Sequence, residues 1–263
     1  ASRGLGDVYK RQSYNLRVGD LKARVSGYYT RIYDQSKVIS YYDDVAATFT
    51  NFAMSGIDKL HFGLEAAVSI PLYRSLALNG AVSWGQYTYD SNPYYLQTQD
   101  NSGDIVSDGY VYWKDFRVES TPQTAVNVGL SWRSNNNIYL SADFNYYNNM
   151  YLSMSPIYRT DAVITGGMAP GDIEHLRRQE KFDSAYTLNA SIGKNWYIHR
   201  KYTLGFSLDV KNILNNQDIK TGGYEQTRLS KNTETTVTTY QAFDSKYFYM
   251  FGTTYYLNLY FRF

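Results

Sequence analysis

The sequence predicts an all-β protein, an antiparallel up-and-down transmembrane β-barrel fragment of about nine strands that forms an open curved sheet. Three observations predict this class. Short segments alternate apolar and polar residues, as strands between two different media do. Their connections alternate between short turns and long polar stretches. The 29 tyrosines fit a boundary between membrane and water, where the ring lies in apolar surroundings and the hydroxyl is solvated.

The last stretch of the chain, residues 245–263, has the clearest alternation. In an extended strand Phe263, Phe261 and Leu259 lie on one face, and Arg262 and Tyr260 lie on the other. About nine residues alternate without a break, which fits the roughly 9–11 residues of a tilted strand that crosses a bilayer. An arginine turned toward lipid costs up to about 2–4 kcal/mol near the midplane. The register therefore places the Phe263 face in lipid and the Arg262 face in a lumen.

The same alternation predicts the other strands, each with an apolar lipid face and a polar luminal face. In the second strand Leu21, Ala23 and Val25 face lipid, because the opposite register would place Lys22 and Arg24 there. The predicted strands cover residues 13–18, 21–33, 60–70, 76–84, 126–132, 138–145, 186–192 and 204–210.

The connections also follow a pattern. Short turns are predicted at residues 19–20, 71–75, 134–137 and 199–200, and long loops at residues 35–56, 90–121, 149–183 and 215–244. Because strand direction alternates, every long loop lies at the same end of the sheet. Short periplasmic turns and long external loops are typical of bacterial outer-membrane barrels. Within the loops, Pro170-Gly171 and Gly222-Gly223 are predicted to be turns.

Composition and motifs exclude several classes of function. The chain has no cysteine, so it has no disulfide, thiolate nucleophile or cysteine metal site. A net charge of +2 does not indicate a nucleic-acid partner. No run of about 18 apolar residues predicts a transmembrane helix. The mean hydropathy of -0.47 is compatible with a barrel, because only alternate residues face lipid. No catalytic or phosphate-binding motif occurs, so we predict neither enzymatic activity nor a cofactor.

The first residues differ from the rest of the chain. Residues 7–12 have the sequence DVYKRQ, which one choice of codons writes as the end sequence of a transposon used to prepare sequencing libraries. We therefore predict that residues 1–12 are a non-native, adapter-derived tail and that residues 13–263 form one barrel domain.

From Ser207 the sequence continues SLDVKNILNNQDIKTGGYEQTR, and from Lys246 it reads KYFYMFGTTYYLNLYFRF. These stretches resemble the C-terminal end of a TonB-dependent outer-membrane receptor of the Bacteroidetes type. The residues that carry the resemblance are Val210, Asn212, Ile213, Leu214, Asn215, Gly222, Gly223, Tyr224, Tyr247, Tyr249, Gly252, Tyr256, Leu257, Asn258 and Phe263.

The resemblance implies a barrel of about 22 strands with an N-terminal plug inside it, of which this chain would be the last part. It implies the outer membrane of a Gram-negative bacterium as the location. The implied function is TonB-dependent active uptake of a bulky, scarce nutrient such as a siderophore, cobalamin or glycan. The implied partners are the lipid bilayer, TonB through the missing plug region, an extracellular nutrient ligand and, for a glycan, a surface lipoprotein lid.

Two of the long loops carry the candidate ligand-binding residues. Aromatic rings stack on sugars or catecholates, and cations hold anionic chelates. The competing interpretation is that the tyrosines belong to the interfacial girdle and that the charges are solvated. The predicted ligand-binding residues are Tyr112, Trp113, Arg117, Tyr158 and Arg159. The stretch from Asp172 to His175 suggests a short helix or a metal site, but no second ligand cluster accompanies it, so we predict no metal.

Three alternatives remain open at this point. A passive porin or small complete barrel would also alternate in this way. An outer-membrane enzyme would need a catalytic residue such as Asp43 or Asp44. A soluble β-sandwich would bury Phe261, Leu208 and Phe144 together in a dry interior between packed layers. The hypothesis that the chain is part of a larger barrel instead predicts two unpaired edge strands.

Overall fold

The computed structural model describes residues 7–44, 46–73, 75–119, 121–165, 170–199, 201–232 and 239–263. Strands account for most of this chain, with three short helical segments. The strands are β1 (Asp7–Val18), β2 (Leu21–Asp43), β3 (Thr48–Tyr73), β4 (Leu76–Tyr89), β5 (Tyr94–Gln99), β6 (Ile105–Tyr110), β7 (Thr124–Arg133), β8 (Ile138–Asn148), β9 (Ala185–Ile198), β10 (Tyr202–Lys211), β11 (Lys220–Tyr224), β12 (Leu229–Asn232), β13 (Thr239–Ala242), β14 (Lys246–Tyr249) and β15 (Thr254–Arg262). The helical segments are a 3₁₀ turn (Ile157–Arg159), α1 (Asp161–Thr165) and α2 (Pro170–Arg177).

Nine strands form one antiparallel up-and-down sheet, in the order β1-β2-β3-β4-β7-β8-β9-β10-β15. We call these the wall strands. In the described residues the two outermost, β1 and β15, each pair on one side only, with β2 and β10. The predicted all-β class, with about nine strands in an open curved sheet, is therefore confirmed. None of the helices in this part of the chain is long and apolar enough to cross a membrane.

The two faces of the wall differ in chemistry because the register aligns like residues across every pair. One apolar row runs through Trp132, Leu140, Ile192, Leu208 and Leu257 on five successive strands. The adjacent row on the other face is polar and reads Ser131, Ser141, Ser191, Asp209 and Tyr256. A one-residue slip would exchange the two faces of a strand, so each strand is held in register by its neighbours.

The apolar face is exposed rather than packed against a second sheet. Phe144 is 42% exposed and Phe261 is 56% exposed, while Leu208 is half-buried. These side chains lie on the same open face of the sheet, which is not the dry interior of a β-sandwich. The polar face carries hydrogen-bonded side chains instead, as between Ser141 and Ser191 (2.7 Å).

Two bulges explain why the predicted loop over residues 35–56 was wrong. β2 and β3 continue as a paired hairpin to Asp43 and Thr48, well past the predicted strand ends. Each strand gains an extra residue at the same level, at Asp34 (φ 55°) and Gly56 (φ 73°). An extra residue reverses which side chains face inward. Phe52 and Met54, which lie between the bulge and the start of β3 at Thr48, are therefore buried. On the other side of the bulge the even-numbered residues of β3 face outward.

The other long connections are also folded, so the predictions of loops at 90–121, 149–183 and 215–244 were wrong in part. β5 pairs with residues 50–55 of β3 and with β6. The connection after β8 contains the 3₁₀ turn, α1 and α2, and the connection after β10 contains β11 to β14. Pro170-Gly171 begins α2 and Gly222-Gly223 lies within β11, so neither pair is a turn.

We call the described residues of 34–58, 90–123, 149–183 and 212–253 the cap. A hydrophobic core lies in the cap and includes Tyr89, the last residue of β4. Its buried members are Phe52, Met54, Ile57, Tyr89, Tyr95, Val111, Trp113, Met154, Ile157, Tyr158, Val163 and Leu176.

The turns predicted at residues 19–20 and 134–137 are confirmed, whereas Arg200 of the turn predicted at 199–200 lies outside the described residues. Gly19 (φ 59°) turns the chain between β1 and β2, and Asn137 (φ 56°) ends the turn that Ser134 begins. The turn predicted at 71–75 is shorter, because β3 continues to Tyr73 and β4 begins at Leu76. β1 begins at Asp7 rather than at Ser13. The adapter origin of residues 1–12 stays a prediction, because backbone pairing at a sheet edge is open to almost any sequence.

Candidate ligand-binding site

The two loops that carry the predicted ligand-binding residues meet in the cap. Val111 forms an antiparallel bridge with Thr160, and the Tyr112 N–H donates to the Arg159 carbonyl oxygen at 2.9 Å. The segments around Tyr112 and Arg159 therefore lie side by side, although they are far apart in the sequence.

Arg159 occupies the centre of the cap and is only 2% exposed. Its Nη1 and Nη2 donate to the two carboxylate oxygens of Glu225 at 2.5 and 2.9 Å, a bidentate pair. Glu225 Oε2 also accepts the Ser155 N–H at 2.7 Å, and Arg159 Nη1 donates to the Ser155 carbonyl at 3.0 Å. Arg159 thus joins the connection after β8 to the connection after β10.

The Arg159 guanidinium lies 5.2 Å from the ring centroid of Phe116. Its Nε is buried and has no hydrogen-bond partner among the described residues. A buried donor without an acceptor costs about 1–3 kcal/mol.

Tyr158 and Trp113 are core residues of the cap. The Tyr158 hydroxyl contacts the Gln226 carbonyl and lies 2.9 Å from the Arg228 carbonyl, which anchors the connection after β10 a second time. Burial raises the pKa of Tyr158 to about 12. Trp113 packs against Tyr89 with ring centroids 4.6 Å apart, and its buried Nε1 has no partner in the described chain. Both side chains are at most 2% exposed, so neither offers a ring face to solvent.

Tyr112 and Arg117 lie nearer the surface. Tyr112 is 44% exposed, and a hydrogen bond with Asp161 raises the pKa of its hydroxyl. Arg117 is half-buried, and its backbone N–H and carbonyl both bond to the Gln179 side chain at 2.8 Å. Ligand binding by any of the five predicted residues stays a prediction. The structure brings Tyr112 and Arg159 together and leaves Trp113, Arg117 and Tyr158 in supporting positions.

Tyr112 and Arg159 share a cavity of about 350 Å³ at the surface of the cap. Most of the described lining is apolar, and the charged side chains in it are those of Arg159 and Arg177. The lining residues are Tyr112, Phe116, Arg159, Ile164, Ile173, Leu176 and Arg177. Its volume lies at the lower end of the range for small-molecule sites, roughly 300–1,000 Å³.

Five of these lining residues are not among the predicted ligand-binding residues: Phe116, Ile164, Ile173, Leu176 and Arg177. Ile173, Leu176 and Arg177 follow the i, i+3, i+4 spacing of one helix face, a signal that was available in the sequence. Phe116 and the Arg159 partner Glu225 carry no such signal. Their positions depend on tertiary contacts. Glu225, for example, lies more than 60 residues from Arg159 in the sequence.

Among the described residues no three His, Cys, Asp or Glu side chains are placed to hold a metal ion. Glu174 of α2 pairs at 2.7 Å with Arg178, which directly follows the helix. The side chains of Asp172 and His175 lie outside the described residues, so the metal prediction for that stretch is not tested.

Comparisons with known proteins add little. No protein-family model and no curated protein matches the chain. Among solved structures, the outer membrane transporter YddB from Escherichia coli matches with a TM-score of 0.47 and 14% sequence identity. The match covers 96% of this chain and 32% of the transporter, so the chain spans about a third of that protein. Nothing about function is carried over from a likeness at that level.

Proposed function

We propose that the chain is the C-terminal barrel part of a TonB-dependent receptor in the outer membrane of a Gram-negative bacterium. The observation that carries this proposal is a single sheet whose apolar face is exposed along successive strands. Leu130 is 46% exposed, Leu204 is 43% exposed and Leu259 is 70% exposed. Contiguous apolar surface on this scale is unfavourable in water and suits lipid. A β-sheet in lipid satisfies its backbone groups through its neighbouring strands.

The dimensions of the wall agree with a bilayer. β8 has 11 residues, which at about 3.4 Å per residue extend to about 37 Å. A tilt of about 45° reduces this to about 26 Å, close to the roughly 25 Å apolar band of outer-membrane barrels.

The asymmetry between the two ends supports a receptor rather than a simple pore. Short turns occupy one end, and the other carries a folded cap with its own core and cavity. Binding sites are commonly carried by connecting segments on a rigid scaffold. The proposed ligand is a bulky, scarce nutrient such as a siderophore, cobalamin or glycan. TonB would act through a plug outside this chain, and a lipoprotein lid would cover the cap if the nutrient is a glycan.

The test uses the full-length gene product in its own host. We expect the protein in the outer-membrane fraction, and we expect its deletion to abolish uptake of one labelled nutrient among a ferric siderophore, cobalamin and an oligosaccharide. Deleting TonB or adding a protonophore should abolish the same uptake. Uptake that continues without TonB would identify a passive porin instead. Recovery of the protein in the soluble fraction would refute the membrane assignment altogether.

A further inference from the structure

The cavity beside Arg159 has an unusual combination of lining groups. Four apolar side chains, Phe116, Ile164, Ile173 and Leu176, form its walls. Among the described residues that line it, the formally charged ones are Arg159 and Arg177. An apolar body favours such walls through burial, and a guanidinium favours a carboxylate through charge-assisted hydrogen bonds.

The two arginines play different parts. Arg159 is almost completely buried and is neutralised by Glu225, so it borders the cavity without adding a net charge to it. Arg177 lies exposed at the end of α2, one helical turn beyond Ile173, and supplies positive charge to the rim. Its neighbour Arg178 is not part of the lining and instead pairs with Glu174.

We propose that this cavity binds a carboxylate carried on an apolar arm, such as an aryl-alkyl acid or the corresponding part of a larger nutrient. The apolar arm lies against Ile173, Leu176 and Phe116. The carboxylate accepts hydrogen bonds from the exposed guanidinium of Arg177 at the rim. The inference rests on the proposed function for the source of the ligand, but the lining chemistry is a property of the cap itself.

Three probes of matched shape separate charge from apolar burial: 4-phenylbutyrate, 4-phenylbutan-1-ol and 4-phenylbutylamine. Binding is measured by saturation-transfer NMR and calorimetry on the full-length protein in phosphatidylcholine nanodiscs, with empty nanodiscs as the blank. We expect the carboxylate to bind more tightly than the alcohol and the amine to bind most weakly. Equal affinity for the carboxylate and the amine would overturn the proposal, and so would the absence of carboxylate binding.

The variant Arg177→Gln should weaken 4-phenylbutyrate binding about tenfold, equivalent to ~1.4 kcal/mol, and leave the alcohol unchanged. Arg178→Gln is the matched control, because it removes an arginine from the next position in the chain, just after α2, and we expect less than a twofold change. Ile173→Trp fills the cavity and should abolish binding of all three probes. A loss in Arg178→Gln equal to that in Arg177→Gln would overturn the assignment to this cavity.

The nutrient-uptake experiment and the probe-binding experiment can fail independently of each other. Probe binding that follows the expected pattern in a protein whose deletion leaves uptake intact would retain the site and refute the proposed function. TonB-dependent uptake by a protein that binds none of the probes would retain the function and refute the site.

Discussion

The buried ion pair between Arg159 and Glu225 gives the sharpest test of how the cap is held together. The variant Glu225→Gln keeps the shape of the side chain but leaves the guanidinium of Arg159 without a counter-charge. Arg159 is 2% exposed and Glu225 is 14% exposed, so water cannot easily replace the lost carboxylate. Removing one partner of a buried pair costs about 3–5 kcal/mol, and the slight exposure of Glu225 favours the lower end.

The loss should be local, because the side chains of the pair bond to each other and to Ser155 within two cap connections. Hydrogen exchange measured by mass spectrometry on the full-length protein reports such local opening. A cost of ~3 kcal/mol raises exchange more than about 100-fold at the amides of residues 153–159 and 223–226. Amides of β8 and β9 should change little.

Two further variants make the test specific. Glu174→Gln removes an exposed pair, 67% exposed on the glutamate and 77% on Arg178, and should change exchange by about twofold or less. Replacing both members by leucine, as Arg159→Leu with Glu225→Leu, should be milder than Glu225→Gln, since no charge is left buried. The reasoning is refuted if Glu225→Gln changes exchange by less than about threefold, or if the double variant is as damaging as the single one.

Three other predictions follow from the wall, the end of β10 and the core of the cap. Leu130→Lys places a charge on the apolar face and should cost about 2–4 kcal/mol and reduce the amount of assembled protein in outer-membrane fractions. The neighbouring Ser131→Lys points to the polar face and should assemble normally; equal assembly of the two variants would contradict the lipid-facing assignment. At the end of β10, Asn212 has φ 51° and its side chain bonds to Asn216 and to the Phe251 carbonyl. Asn212→Gly keeps the backbone conformation but loses these bonds. Asn212→Ala should lower the free energy of unfolding in urea by about 1–2 kcal/mol more than Asn212→Gly does, since alanine disfavours positive φ. Tyr158, whose pKa burial raises to about 12, favours the folded cap in its neutral form. Its contribution is therefore fully present below about pH 10 and is lost as pH rises from about 10 to 12, which phenolate absorbance of the wild type against Tyr158→Phe would detect. A Tyr158 phenolate already formed near pH 10 would contradict the burial.

The alternating faces of the wall could be predicted because side-chain direction in a strand is a local property. Successive residues point to opposite faces whatever the strand pairs with. A charged residue then decides which face is polar, as Lys22 and Arg24 do for β2. The nine strands, their order and the position of the long connections all follow from this pattern and from antiparallel direction.

The pattern fails where one extra residue reverses it. Asp34 and Gly56 have positive φ and shift the register of β2 and β3. The alternation of apolar and polar residues therefore does not continue unchanged past these two positions. A bulge has no strong sequence signal, since glycine and aspartate also occur in ordinary turns. The hairpin above the bulges was therefore predicted to be a loop.

By itself the sequence determined which residues of each wall strand share a face, since that depends only on the two-residue repeat of an extended chain. Only the tertiary structure decided that Tyr158 and Trp113 are core residues, that Arg159 pairs with Glu225, and that Tyr112 and Arg177 border one cavity. Each of these facts depends on contacts between connections that are distant in the chain. The physical reason for the difference is that strand geometry is repeated at every residue, whereas the packing of irregular connections follows from burial summed over all of them at once.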